Sequence, residues 1–151
     1  MPEIVWQILT GIIIATASAW ITVQLSLRRF RTERWWERKV ESYTNVIEAL
    51  HNSKAFASYH LKTGGREIPD ERDKELRSRT REANDEILKA TDVGAFILSE
   101  KALTRLRKYK NEEEEASEIR DWYGYLIADL EATEGCLKDF IEIAKKDLKT
   151  R

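Results

Sequence analysis

Residues 4–27 run for 24 positions without a charged side chain, and no other feature constrains the chain so tightly. As an α-helix rising ~1.5 Å per residue, that stretch is ~36 Å long, more than the ~30 Å of hydrocarbon in a bilayer. It predicts a transmembrane helix with room to tilt. Arg28, Arg29, Arg31 and Arg34 follow directly, whereas Glu3 is the one charge on the other side. The positive-inside rule then places the N-terminus outside and the rest of the chain in the cytosol. Trp6 suits an interfacial anchor. A cleaved signal peptide is the competing reading, with Ala17-Ser18-Ala19 as its cleavage site. Against it stand the missing basic n-region and eight further uncharged residues after Ala19.

At about 100° per residue, Gln7, Thr10, Gly11, Ala15, Ser18, Thr22 and Ser26 gather on one side of this helix. Leu9, Ile12, Ile13, Trp20, Val23 and Leu27 lie opposite. Lipid tails gain nothing from hydroxyls and an amide, but a neighbouring helix gains close backbone approach and interhelical hydrogen bonds. Gln7, Gly11, Ala15, Ser18 and Thr22 are therefore the candidate membrane self-association face. A pore lined by several copies is the stricter version of that idea.

Charge is distributed unevenly. Residues 28–39 carry six basic and two acidic side chains, whereas residues 40–151 sum to −4. The basic cluster surrounds Trp35-Trp36, and such residues attract anionic lipid at about 1 kcal/mol each near a surface. Arg28, Arg29, Arg31, Arg34 and Trp35 are the candidate anionic-lipid contacts, while Trp36 falls on a seam position and is expected in the core. A single cysteine, Cys136, excludes an intramolecular disulfide and fits a reducing compartment.

With two prolines and six glycines in 151 residues, the remaining chain reads as helix. Trp36, Val40, Tyr43, Ile47, Leu50, Lys54, Ala57 and Leu61 alternate steps of four and three, so the first soluble helix should continue the span to about Leu61. Thr63-Gly64-Gly65 ends it, and Pro69-Asp70-Glu71 opens a second helix with a thin stripe of Leu76, Ala83, Ile87 and Leu88. Val93-Gly94-Ala95-Phe96-Ile97-Leu98 predicts a buried, glycine-relieved bend, followed by a Ser99 cap. A third helix near 100–115 offers Leu103, Leu106 and Tyr109 and ends around the acidic run at 112–115, which reads as a solvated loop or helix entry. The last helix, about 116–148, repeats the alternation at Ile119, Tyr123, Leu126, Leu130, Thr133, Leu137, Phe140 and Ala144. The predicted architecture is all-α: a transmembrane anchor at 1–29, then a cytosolic antiparallel four-helix bundle at 30–151.

Catalytic and metal chemistry find little support in the sequence. His51 and His60 are nine residues apart, on opposite sides of one helix, and neither has a Cys or His companion at ligand spacing. A helical-bundle ribonuclease of the kind that uses Arg-x(4–6)-His lacks its arginine before either histidine. Cys136 reads as a packed thiol. Gly64-Gly65 has no Lys-Ser/Thr partner of a phosphate loop. The expectation is no enzyme, no cofactor, no metal and no nucleic-acid partner.

Glu33-Arg34-Trp35-Trp36-Glu37-Arg38-Lys39, Ile47-Glu48-Ala49-Leu50-His51 and Gly94-Ala95-Phe96-Ile97-Leu98-Ser99 resemble segments of a family of small bacterial membrane proteins with one N-terminal span and a helical cytosolic domain. The resemblance implies a bacterial inner-membrane location and this same architecture. In architecture alone the chain is also similar to single-span effectors of some phage-defence systems. Together these readings lead to a non-enzymatic, self-associating membrane protein whose bundle mediates assembly or binds a cytosolic partner. A passive membrane tether is the first alternative, and a divergent nuclease or nucleotide-responsive domain the second.

Overall fold

The computed structural model describes residues 2–64 and 69–149, with side chains for 18–27, 30, 32–64 and 69–149. Four α-helices follow one another: α1 (Pro2–Thr63), α2 (Asp70–Val93), α3 (Glu100–Ser117) and α4 (Trp122–Lys149), with a 3-10 turn at Gly94–Phe96. Among the described residues there is no strand. The chain divides into two units, Met1–Arg38 and Lys39–Arg151.

In the first unit the backbone is helical throughout its described length. Trp20, Ile21, Val23, Leu25 and Leu27 are all exposed, as are Phe30 and Trp35, and Trp36 is half-buried. Among the described residues no helix is long and apolar enough to cross a membrane. For residues 4–17, the span read from the sequence lies outside the described side chains.

The second unit packs all four helices around shared cores. Tyr43, Val46 and Leu50 of α1 meet Ala83 and Ile87 of α2, Leu103 and Leu106 of α3, and Phe140 of α4 in one cluster. Phe56 and Ala57 meet Leu76 and Leu126 in another. Each large apolar side chain so buried stabilises the fold by about 1.5–3 kcal/mol. Helix boundaries follow local chemistry. Gly64, at φ 59°, takes the left-handed position that ends α1. Pro69 precedes α2, whose first turn holds Asp70, Glu71 and Asp73. Ser99 caps α3 by accepting from Ala102 N at 3.2 Å. Asp121 accepts from Gly124 N at 2.6 Å at the start of α4. Tyr43 then ties three helices together: its hydroxyl donates to Asp147 Oδ2 at 2.5 Å and accepts from Ser99 N at 3.1 Å.

Several expectations need correction. On α1 the buried series is Tyr43, Val46, Leu50, Ser53 and Ala57, and on α4 it is Leu126, Asp129, Thr133, Cys136 and Phe140. Both helices therefore turn toward 46, 53, 129 and 136, while Ile47, Lys54, Leu130 and Leu137 stand at the edge of the core. Leu88, Ile119 and Tyr123 are exposed. The bend after α2 is present but not buried, because only Leu98 enters the core while Phe96 is 81% exposed. A Cβ at Gly94 would lie 2.9 Å from Leu98 Cδ1, so any larger residue there would have to shift the Leu98 side chain. The acidic run is helical. Glu112 pairs with Arg105 at 3.1 Å, Glu113 accepts from Asn84 at 2.7 Å, and Ala116 is buried, so α3 continues to Ser117 and α4 begins later than the pattern suggested.

Candidate functional site

Between the two apolar clusters lies a layer of polar side chains drawn from every helix. Ser53 comes from α1, Asn84 from α2, Tyr109 and Glu113 from α3, and Asp129 and Thr133 from α4. Ser53 and Thr133 are 1% and 0% exposed, so each proton in the layer must be accounted for. The Ser53 hydroxyl donates to Asn84 Oδ1 at 3.0 Å, and Thr133 donates to the Asp129 carbonyl at 2.7 Å. The Tyr109 hydroxyl stands 3.3 Å from both Ser53 Oγ and Thr133 Oγ1. Since those two oxygens have spent their protons elsewhere, Tyr109 is the donor to both, sharing one hydrogen. The Asn84 amide completes the chain by donating to Glu113 Oε1 at 2.7 Å.

Burial sets the electrostatics of the layer. Asp129 has its carboxyl pushed up to about 6 by desolvation. Glu113 is raised by burial and, after that, by the charge of Asp129. Burial and then Glu113 raise the Tyr109 phenol, which keeps its proton at any ordinary pH. A layer like this disfavours any slipped pairing of the four helices, because a slip would strand buried hydroxyls against apolar groups.

A second cluster joins α1, α2 and α4. His60 Nε2 lies 2.9 Å from Asp73 Oδ1, and Arg77 Nε donates to Asp73 Oδ2 at 2.7 Å. Phe56 and Trp122 pack on the imidazole at ring-centroid distances of 4.3 and 5.7 Å, and Arg77 lies over Phe56 at 5.1 Å. The Arg77 hydrogen bond, outweighing desolvation, holds the Asp73 carboxyl below its usual range. His51, by contrast, is exposed. Cys136 is fully buried, and burial pushes its thiol up to about 12, an inert packed group. Among the described residues no three His, Cys, Asp or Glu side chains assemble into a metal-holding group.

Of the residues singled out for membrane association, Gln7, Gly11 and Ala15 lie outside the described side chains, as do Arg28, Arg29 and Arg31. Ser18 and Thr22 are exposed, and the Thr22 hydroxyl donates to the Ser18 carbonyl at 2.8 Å within the helix. Arg34 and Trp35 meet in one open cleft together with Phe30 and Arg38. The pattern of apolar residues had already marked Tyr109 and Thr133 as core. It gave no sign of Ser53, Asn84, Glu113 or Asp129, because Ser53 and Asp129 stand beside the seam positions Lys54 and Leu130 that the spacing selects. No family model, curated protein or solved structure matches the chain.

Proposed function

We propose that this chain is a single-span protein of the bacterial inner membrane whose cytosolic four-helix bundle is a non-enzymatic assembly module. The observation that carries the reading is the exposure of Trp20, Ile21, Val23, Leu25 and Leu27, which at helical spacing cover more than half of the way around α1 and leave out the side of Ser18, Thr22 and Ser26. Exposed apolar side chains over so wide an arc require an apolar surround, and lipid supplies one. The small and polar positions Gly11, Ser18 and Thr22 then serve packing between copies, and the internal polar layer fixes the bundle in one register. A reporter active only in the cytosol, fused after Arg151, works under this reading; activity from outside the cell would overturn the topology. Gly11→Leu lowers the mass of the detergent-extracted assembly without releasing the protein from the membrane.

One observation favours a plain tether as the second reading. The Thr22 hydroxyl uses its proton within its own helix, so at that position the face asks for no neighbouring donor or acceptor. A full-length protein that extracts as a monomer, unchanged by Gly11→Leu, decides for the tether.

A further inference from the structure

Phe30, Arg34, Trp35 and Arg38 line one cleft along α1, an i, i+4, i+8 row of ring and two guanidinium groups with a second ring beside it. Phe30 and Trp35 are 55% and 52% exposed. The Arg34 guanidinium lies over the Phe30 ring at 5.1 Å, a cation–π contact that ties the first ring to the first cation. Among the described residues no carboxylate pairs with Arg34 or Arg38. At helical spacing Glu33 and Glu37 fall outside the arc that holds the two arginines. Two uncompensated guanidinium groups between exposed aromatic rings match a phosphate joined to an apolar body: the cations take the phosphodiester oxygens in forked hydrogen bonds, and the rings cover glycerol and upper acyl carbons.

We propose that this cleft seats the headgroup of an anionic phospholipid, with Arg34 and Arg38 on the phosphate and Phe30 and Trp35 against the lipid's apolar shoulder. The proposal rests on the span reading for its occupant. The exposed apolar residues Trp20 through Leu27 precede the cleft directly along the same helix, and that continuity favours lipid over an acidic protein or a nucleic acid. It goes beyond general attraction of a basic cluster, because it places the selectivity on two arginines and two rings and predicts discrimination among lipids.

The test uses the full chain reconstituted in phosphatidylcholine vesicles containing a minor fraction of either brominated phosphatidylglycerol or brominated phosphatidylcholine. Bromine quenches nearby tryptophan, and the difference between wild type and Trp35→Phe isolates Trp35. The phosphatidylglycerol probe should quench Trp35 more strongly at equal mole fraction. Arg34→Gln and Arg38→Gln should each weaken that preference, on the order of fivefold per guanidinium. Equal quenching by the two probes, or a preference that survives the double substitution, overturns the proposal in favour of another class of partner. Resistance to alkaline extraction from neutral vesicles reads the span separately. A protein that inserts but shows no lipid preference keeps the span and loses this site. One that fails to insert, yet floats with phosphatidylglycerol vesicles through Arg34 and Arg38, keeps the site and loses the span; one that does neither loses both.

Discussion

Tyr109 supplies one proton to two acceptors, and that shortage makes its hydroxyl a sensitive point in the bundle. Tyr109→Phe removes the proton and leaves the Ser53 and Thr133 oxygens without their donor, at a cost of about 1–3 kcal/mol in urea-midpoint stability. Ser53→Ala in the same background should cost less than it does alone, since the contact it would break is already gone. Asp129 acts through pH. Its folded-state value of about 6 stands above the ~3.9 of an unfolded aspartate, so the fold favours the protonated form. That contribution is fully present below about pH 4 and is lost as pH rises through about 6, and Glu113, also raised, pulls the same way. Asp73, whose carboxyl is lowered by Arg77, works in the opposite sense and withdraws stability as pH falls through its own titration. Stability should therefore peak on the acid side of neutrality, where the gain from Asp129 and Glu113 gives way to the loss from Asp73. Asp129→Asn should flatten the slope between about pH 4 and 6 and raise stability at pH 7 by on the order of 2 kcal/mol. Identical slopes for the two proteins would remove Asp129 from the account.

Among the elements, the two long helices show where sequence pattern reaches and where it stops. Leu50 and Ala57 on α1, and Leu126, Thr133 and Phe140 on α4, lie on the seam that their spacing predicts, and all are buried. A repeat of seven leaves two choices for the residue between each such pair, on one side of the seam or the other. Hydrophobicity selects Leu130 over Asp129 and is indifferent to the polar pair Ser53 and Lys54. The fold takes Ser53, because Asn84 and Tyr109 on facing helices give it partners that a single-helix pattern cannot reveal, and it buries Asp129 with its carboxyl biased toward the protonated form. The same blindness explains Phe96, apolar in sequence and 81% exposed. Leu50→Asp should consequently unfold the bundle, placing a carboxylate at a position with no exposure. Leu130→Asp, at the edge of the smaller apolar cluster, should leave a folded protein of lowered melting temperature. His60→Ala should cost about 1–2 kcal/mol, through the lost Asp73 contact and the ring packing that joins α1 to α2 and α4. The exposed His51→Ala should stay within about 0.5 kcal/mol of wild type. Equal effects from the two histidines in thermal melts would show that the cluster holds nothing together.

For the whole molecule, the division at residues 38 and 39 separates a helix clothed in exposed apolar side chains from a bundle whose apolar side chains are mostly inside. The bundle's own contacts close on themselves: Lys39 donates to the Asp147 carbonyl at 3.1 Å, so the first residue of the unit is already fastened to the last turn of α4. Cys136, the one cysteine in the chain, sits in this enclosure with no exposed surface. A thiol reagent added to the native protein can reach it only during the moments when α4 lifts from its neighbours. Its labelling rate is therefore a clock for breathing of the folded state, readable by mass without any engineered dye, and should run slower than in the unfolded chain by the opening equilibrium constant, roughly 10³–10⁸. Tyr109→Phe should make that clock run faster by the factor its stability loss dictates.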